Sequence, residues 1–152
     1  MPELDEIYKI TKRLYIGAYW PRLNFKKFKR HGITAIVNLM EDNLYTPPRC
    51  FDYLHKGFKD ETYPPQVFVK EIFDFMDVHL LVKEGKVLVH CSMGISRSGA
   101  ICAGWLLKEH PNWTWNEAVD FVRESRMIFP AVEIRESILD YLECIEGKRR
   151  FL

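Results

Sequence analysis

The chain has 152 residues, 47% hydrophobic and 14% aromatic, with 22 Lys and Arg against 21 Asp and Glu for a formal net charge of +1. That is enough chain to close one hydrophobic core, and the balanced charge argues against a disordered chain and against nonspecific nucleic-acid binding. No apolar run approaches the roughly 18 residues of a membrane span, and the acidic opening Met1-Pro2-Glu3-Leu4-Asp5-Glu6 is unlike the basic, then apolar start of a signal peptide. The expectation is one soluble, cytoplasmic, monomeric domain over residues 1–152, with no membrane or nucleic-acid partner. Cys50, Cys91, Cys102 and Cys144 are widely separated and never form a C-x-x-C pair, so neither a zinc site nor a disulfide framework is indicated.

In chain order, residues 7–18 read as two short strands broken at Thr11-Lys12-Arg13. After Pro21 a short basic helix offers Leu23, Phe25 and Phe28 to the interior, with Lys26, Lys27, Lys29 and Arg30 toward solvent, and His31-Gly32 ends it. Residues 33–39 are β-branched and nearly all apolar, as in a strand buried on both faces of a parallel sheet. Residues 41–49 are loop, 51–58 a further strand, and 59–65 a surface loop whose prolines announce a helix.

That helix should run over about residues 66–84, because Val69, Ile72, Phe73, Met76 and Leu80 recur at three- and four-residue steps and Gly85 stands where a C-terminal cap belongs. Val87-Leu88-Val89 is a fully apolar strand, followed by a polar loop and an apolar helix with Ile101, Ala103, Trp105, Leu106 and Leu107. Thr114 and Glu117 form a capping box for a helix with core face Ala118, Phe121 and Val122. A last helix after Pro130 presents Ile134, Ile138, Leu142 and Ile145, and the two final helices are expected to cover one sheet face. Strands alternating with helices predict a single-domain α/β three-layer sandwich, its mainly parallel sheet of about five strands flanked by helices.

The informative stretch is Val89-His90-Cys91-Ser92-Met93-Gly94-Ile95-Ser96-Arg97-Ser98-Gly99, in which five residues separate a cysteine from an arginine. If the loop curls with its N–H groups inward and the next helix adds its positive end, a phosphate dianion fits within it. The same environment favours thiolate over thiol, which makes Cys91 the candidate nucleophile. Arg97 can hold two phosphate oxygens with its planar fork, and Gly94 permits close backbone approach. Ser98 can donate toward the sulfur and so improve it as a leaving group, while His90 orients the loop from beneath.

A departing alkoxide or phenoxide needs a proton. Asp60 follows one strand and precedes the helix that returns to the nucleophile strand, so a parallel arrangement brings both loops to one sheet edge. Glu61 is its alternative, and a solvated turn is the structural reading of either residue.

With these residues assembled, the sequence resembles the dual-specificity phosphatases of the protein tyrosine phosphatase superfamily over essentially its whole length. Residues 90–98 match the family's H-C-x5-R-S loop. Leu14-Tyr15-Ile16-Gly17, Gly32-Ile33-Thr34-Ala35-Ile36-Val37-Asn38-Leu39, and Tyr53-Leu54-His55 followed by Phe58-Lys59-Asp60 extend the similarity. The resemblance implies that Cys91 attacks phosphorus, that Asp60 protonates the leaving group and then helps activate water, and that no metal or cofactor takes part. It further implies that Ser92, Met93, Gly94, Ile95 and Ser96 bind phosphate through their amides and that Asn38 braces the pocket. Arg126-Met127-Ile128-Phe129-Pro130-Ala131 departs from the family's frequent Asn and Gly before the last helix, which leaves open the wall beside the pocket.

The expected substrates are phosphorylated proteins, phosphotyrosine first and phosphoserine or phosphothreonine if the pocket is shallow. Uncharged Met93 and Ile95 at the rim, and Arg97 as the loop's only cation, disfavour the alternatives of a phosphoinositide or an RNA 5′-phosphate. A noncatalytic phosphoprotein-binding module is a third reading, against which Cys91, Arg97 and Asp60 stand intact. Reversible peroxide inactivation is expected of a low-pKa thiolate, and whether Cys50 or Cys102 traps the oxidised sulfur is open, Cys102 being more simply a core residue. The Lys26–Arg30 cluster and Lys148-Arg149-Arg150 read as solvated faces.

Overall fold

A computed structural model describes residues 7–152, so the expectation resting on residues 1–6 lies outside the described residues. Its strands are β1 (Tyr8–Lys9), β2 (Leu14–Ala18), β3 (Ala35–Asn38), β4 (Asp52–His55) and β5 (Val87–Cys91). They form one sheet in the order β1-β2-β5-β3-β4, with only the β1 edge pair antiparallel. The mainly parallel five-stranded sheet expected from the alternation of strands and helices is therefore present. Burial of β3 and β5 explains their apolar runs Ala35-Ile36-Val37 and Val87-Leu88-Val89, since both strands lie inside the sheet with neighbours on either side.

The sheet's two faces are served by alternate residues. Tyr15, Ile36 and Leu88 point to a small cluster with Phe28, Ile33 and Phe51, under helix α1 (Phe25–Arg30). Leu14, Ile16, Ala35, Val37, Val87 and Val89 point to a larger core, beneath α2 (Gln66–Asp77), α3 (Arg97–Glu109), α4 (Trp115–Arg123) and α5 (Val132–Glu146). Phe28 is the one fully buried side chain of α1. Its removal would leave a cavity worth about 3–5 kcal/mol.

Several boundaries and faces differ from expectation. The long helix stops as α-helix at Asp77 and continues as a π-helical turn, Val78–Val82. The left-handed residue after it is Glu84, at φ 52°, and not Gly85. Gly85 is needed for contact: a Cβ there would lie 2.5 Å from Thr34 Oγ1. Helices α4 and α5 pack chiefly on α3 and α2, forming an outer part of the core instead of covering the sheet directly. In α4 the buried residues are Trp115, Ala118, Val119 and Val122, so Phe121 is displaced to the margin. In α5 Ile134, Ile138 and Leu142 are buried as expected while Ile145 is exposed. The capping box forms as read: Glu117 N donates to Thr114 Oγ1 at 3.2 Å, and Thr114 N donates to Glu117 Oε1 at 3.0 Å. No helix among the described residues is long and apolar enough to cross a membrane.

Candidate active site

Strand β5 delivers Cys91 at its buried end, and Arg97 opens α3, so residues 92–96 must turn within five positions. The loop's carbonyls show how the turn is held. Those of Cys91 and Ser92 accept from the amides of Tyr19 (2.9 Å) and Trp20 (3.1 Å), just past β2. Those of Met93 and Gly94 accept from Arg126, at 3.0 Å from Nη2 and 3.4 Å from Nε. Ile95 O accepts from Phe129 N at 3.2 Å, and Ser96 O from Ala100 N at 2.8 Å. Every carbonyl from Cys91 to Ser96 thus has a donor, whereas the amides of Ser92, Met93, Gly94, Ile95 and Ser96 find no acceptor among the described residues. Successive amides left in this way form an anion-binding nest. Gly94 makes the turn with φ +70°, and a Cβ on it would lie 2.6 Å from Gly17 O.

Within the nest Cys91 is 3% exposed, and its Sγ lies 3.2 Å from Ser98 Oγ on the first turn of α3. Arg97 folds back over the loop. Its Nη1 donates to Phe58 O at 3.1 Å and its Nη2 to Ser92 Oγ at 3.2 Å, while Nε is buried without an acceptor among the described residues. A buried guanidinium N–H normally has a partner. An anion seated in the nest would supply one.

Asp60 arrives from the loop after β4, at the same carboxyl edge of the parallel strands as the Cys91 loop, as the topology predicts. Its Oδ1 accepts from Ser96 Oγ at 2.8 Å and from Glu61 N at 2.9 Å. Ser96 Oγ in turn accepts from Ala131 N at 3.2 Å. Asp60 lines the cavity with Met40, Glu41, Asp42, Leu44, Lys59, Ser92 and Arg97, enclosing about 370 Å³. Glu61 is not among these residues; it is exposed at φ 59°. The structure therefore brings Asp60, and not Glu61, to Arg97 and Ser92.

His90 is fully buried below the loop. Burial, helped by the Arg97 and His55 charges and opposed by its bond to Cys91 O, pushes its pKa down to about 4. The ring is then neutral, with Nδ1 donating to Cys91 O at 3.3 Å and Nε2 accepting from Tyr45 OH at 2.6 Å. Burial, reinforced by Tyr53 and Tyr19, holds the Tyr45 phenol well above its ordinary pKa, so it remains a donor. Asn38 is also fully buried. Its side chain accepts from Met40 N at 2.9 Å and donates to Tyr53 OH at 2.9 Å, fixing the turn that forms the cavity wall.

The segment that departs from the family pattern nevertheless supports the loop through Arg126, Phe129 N and Ala131 N. Ile128 fills the space over Gly99, where a Cβ would lie 2.8 Å from it. Met93 and Phe129 are exposed at 50% and 63%, so this flank is apolar toward solvent. Arg126 and Tyr45 escaped the sequence reading because each acts on a partner distant in sequence, 33 and 45 residues away. Cys102 is buried in α3, where burial and the neighbouring Cys91 push its thiol pKa up; Cys50 and Cys144 are exposed, and all four cysteines are free. Among the described residues no cluster of three or more His, Cys, Asp or Glu is arranged to hold a metal.

Comparison with known proteins agrees with this geometry. The family model for the dual specificity phosphatase catalytic domain matches residues 14–144. Dual specificity protein phosphatase 14 of Bos taurus is 31% identical over 150 residues, covering 96% of this chain and 74% of that protein. Protein phosphatase Slingshot of Drosophila melanogaster is 26% identical over 95% of this chain, which spans only 14% of that protein's length. Across the Slingshot relatives compared, the chain spans 9 to 22% of their length. Among solved structures, the human tyrosine phosphatase-like serine/threonine/tyrosine-interacting protein superposes with a TM-score of 0.80 at 29% identity, covering 95% of this chain and 99% of that one. PTPMT1 in complex with PI(5)P shares the fold at a TM-score of 0.77 and 18% identity, covering 93% of this chain and 97% of that one. The extent of the family match, with a nest of amides closed by an arginine at its centre, shows that this chain belongs to the dual specificity phosphatase family.

Proposed function

We propose that the chain is a cysteine-dependent protein phosphatase that hydrolyses phosphotyrosine first and phosphoserine or phosphothreonine by the same chemistry. The observation that carries this reading is the outward bonding of all loop carbonyls from Cys91 to Ser96, with the amides between them unengaged around the Cys91 sulfur. The phosphoryl oxygens sit on the amides of Ser92, Met93, Gly94, Ile95 and Ser96 and on Arg97 Nε. Because these dipoles are already oriented, they stabilise the charge of the transition state with little reorganisation.

Cys91 Sγ attacks phosphorus, the P–S bond forms, and the P–O bond to the leaving oxygen breaks. Asp60, protonated at this point, gives that oxygen its proton. Water then attacks the thiophosphate and passes a proton to the Asp60 carboxylate, and the P–S electron pair returns to sulfur. Ser98 Oγ donates to the departing thiolate. Inorganic phosphate leaves, and the ionised thiol and protonated Asp60 are regenerated. The exposed free thiols of Cys50 and Cys144 fit a reducing compartment such as the cytoplasm.

The test is phosphate release from matched phosphotyrosine, phosphoserine and phosphothreonine peptides beside vesicles carrying an inositol phospholipid. Faster release from the lipid would overturn the protein-substrate reading. Cys91→Ser should abolish turnover and still retain the phosphopeptide. Turnover undiminished in that variant would exclude Cys91 as nucleophile, and a wild-type chain that binds without turnover would be a phosphoprotein-binding module.

A further inference from the structure

The mouth of the cavity carries more charge than phosphate capture requires. Arg97 lies inside it, while Glu41 and Asp42 stand on the wall built by the turn after β3 and Lys59 on the wall built by the loop after β4. Glu41 and Asp42 are both exposed, and neither carboxylate has a salt bridge or hydrogen bond among the described residues. Four carboxylates of α5, by contrast, are paired: Glu136, Asp140 and Glu143 are gathered by Arg149, and Glu146 by Arg150.

The acidic wall is also held in place. Met40 N is fixed by Asn38, Phe58 N donates to Leu39 O at 3.3 Å, and His55 Nε2 lies 2.7 Å from Met40 O. Two uncompensated negative charges are therefore set beside a pocket whose ligand is itself an anion. They oppose phosphate binding, so their electrostatic effect favours a ligand that brings its own cation.

Resting on the phosphatase reading, we infer that Glu41 and Asp42 select phosphoproteins with Lys or Arg beside the phosphorylated residue. A cationic neighbour screens the approach of the phosphate and meets the unpaired carboxylates, whereas an acidic neighbour or a second phosphate meets repulsion. Lys59 is the one cation contributed by the loop after β4, beside Asp60, so with Arg97 committed to the phosphate the rim's balance is negative. Each solvent-exposed pair is worth a factor of about 1.5 to 5, so the two acids together give roughly a 2- to 25-fold preference.

The experiment measures kcat/KM for two phosphotyrosine peptides that differ only in lysine or glutamate flanks, with p-nitrophenyl phosphate as the reference without flanks. The full chain should favour the lysine peptide by roughly 2- to 25-fold at low salt, and the ratio should shrink as ionic strength rises to about 0.5 M, where screening is nearly complete beyond a few ångströms. In the E41Q/D42N double variant the ratio should fall to about 1, and in E41K/D42K it should invert. Equal use of the two peptides by the wild-type chain, or a preference that survives in E41Q/D42N, would overturn the inference and leave the phosphatase reading standing. Failure to hydrolyse p-nitrophenyl phosphate and both peptides would overturn the phosphatase reading and this inference with it.

Discussion

The Arg126 guanidinium donates to the carbonyl of Met93 at 3.0 Å, so the tip of the loop around Cys91 is held from outside by a residue of a different segment. Its Nε also donates to Gly94 O at 3.4 Å, and its Cζ lies 4.9 Å from the Tyr8 ring centroid. Without it two carbonyls lose their outward partner, and the amides between them lose their inward set. Hydrogen bonds to a charged donor are worth about 1.5–3 kcal/mol. Arg126→Ala should therefore lower kcat/KM for p-nitrophenyl phosphate by roughly 10- to 100-fold and weaken inhibition by inorganic phosphate in parallel. Phosphate inhibition equal to wild type would show that the loop holds its shape unaided.

Asp60→Asn keeps an acceptor for Ser96 Oγ but has no proton to give. Its kcat on a phosphotyrosine peptide should fall by about 10²- to 10⁴-fold, as for a lost general acid. The loss should be smaller for p-nitrophenyl phosphate, whose leaving group departs without protonation. An equal loss on the two substrates would exclude Asp60 as the acid.

Much of this site was legible because its chemistry is local in sequence: Cys91, Gly94, Arg97 and Ser98 belong to one strand–loop–helix unit whose turn dictates their meeting. The interior of α2 was legible for a similar reason, since Val69, Ile72, Phe73 and Met76 follow the helical period and all are buried. Phe121 packs only partly buried against the core and Ile145 is exposed, because a period shows which residues share a face, and not how far the neighbouring elements cover it. Arg126 and Tyr45 could not be read at all. A charged residue and a loop aromatic carry no sign of partners that only the packing of α4 on α3 and the pairing of β3 with β5 bring near.

In the proposed mechanism Ser98 Oγ, 3.2 Å from Cys91 Sγ, acts in the second step, when sulfur must leave phosphorus. Ser98→Ala should slow breakdown of the thiophosphate more than its formation. Rapid-quench kinetics should then show a burst of p-nitrophenol of about one equivalent, followed by a steady rate reduced roughly 10- to 100-fold, the cost of one hydrogen bond to a charged group. A fall in burst rate equal to the fall in steady rate would place the hydroxyl in the first step instead.

His90 makes the stability of the fold depend on pH. Its pKa falls from the ordinary 6.5 in the unfolded chain to about 4 in the folded one, chiefly through burial. Between these values the unfolded chain binds a proton that the folded chain does not, so unfolding free energy rises with pH. The contribution is complete above pH 6.5, declines as the pH falls toward about 4, and totals roughly 3 kcal/mol. Urea denaturation across that window should show this slope, and His90→Asn should lose most of it even if the variant is less stable at neutral pH. Tyr45→Phe leaves His90 Nε2 without its donor, which favours protonation of that nitrogen and should move the His90 titration upward. Proton NMR can follow that imidazole directly. A ring that is charged in the folded protein at pH 6 would overturn both the neutral tautomer assigned to it and the pH window derived from it.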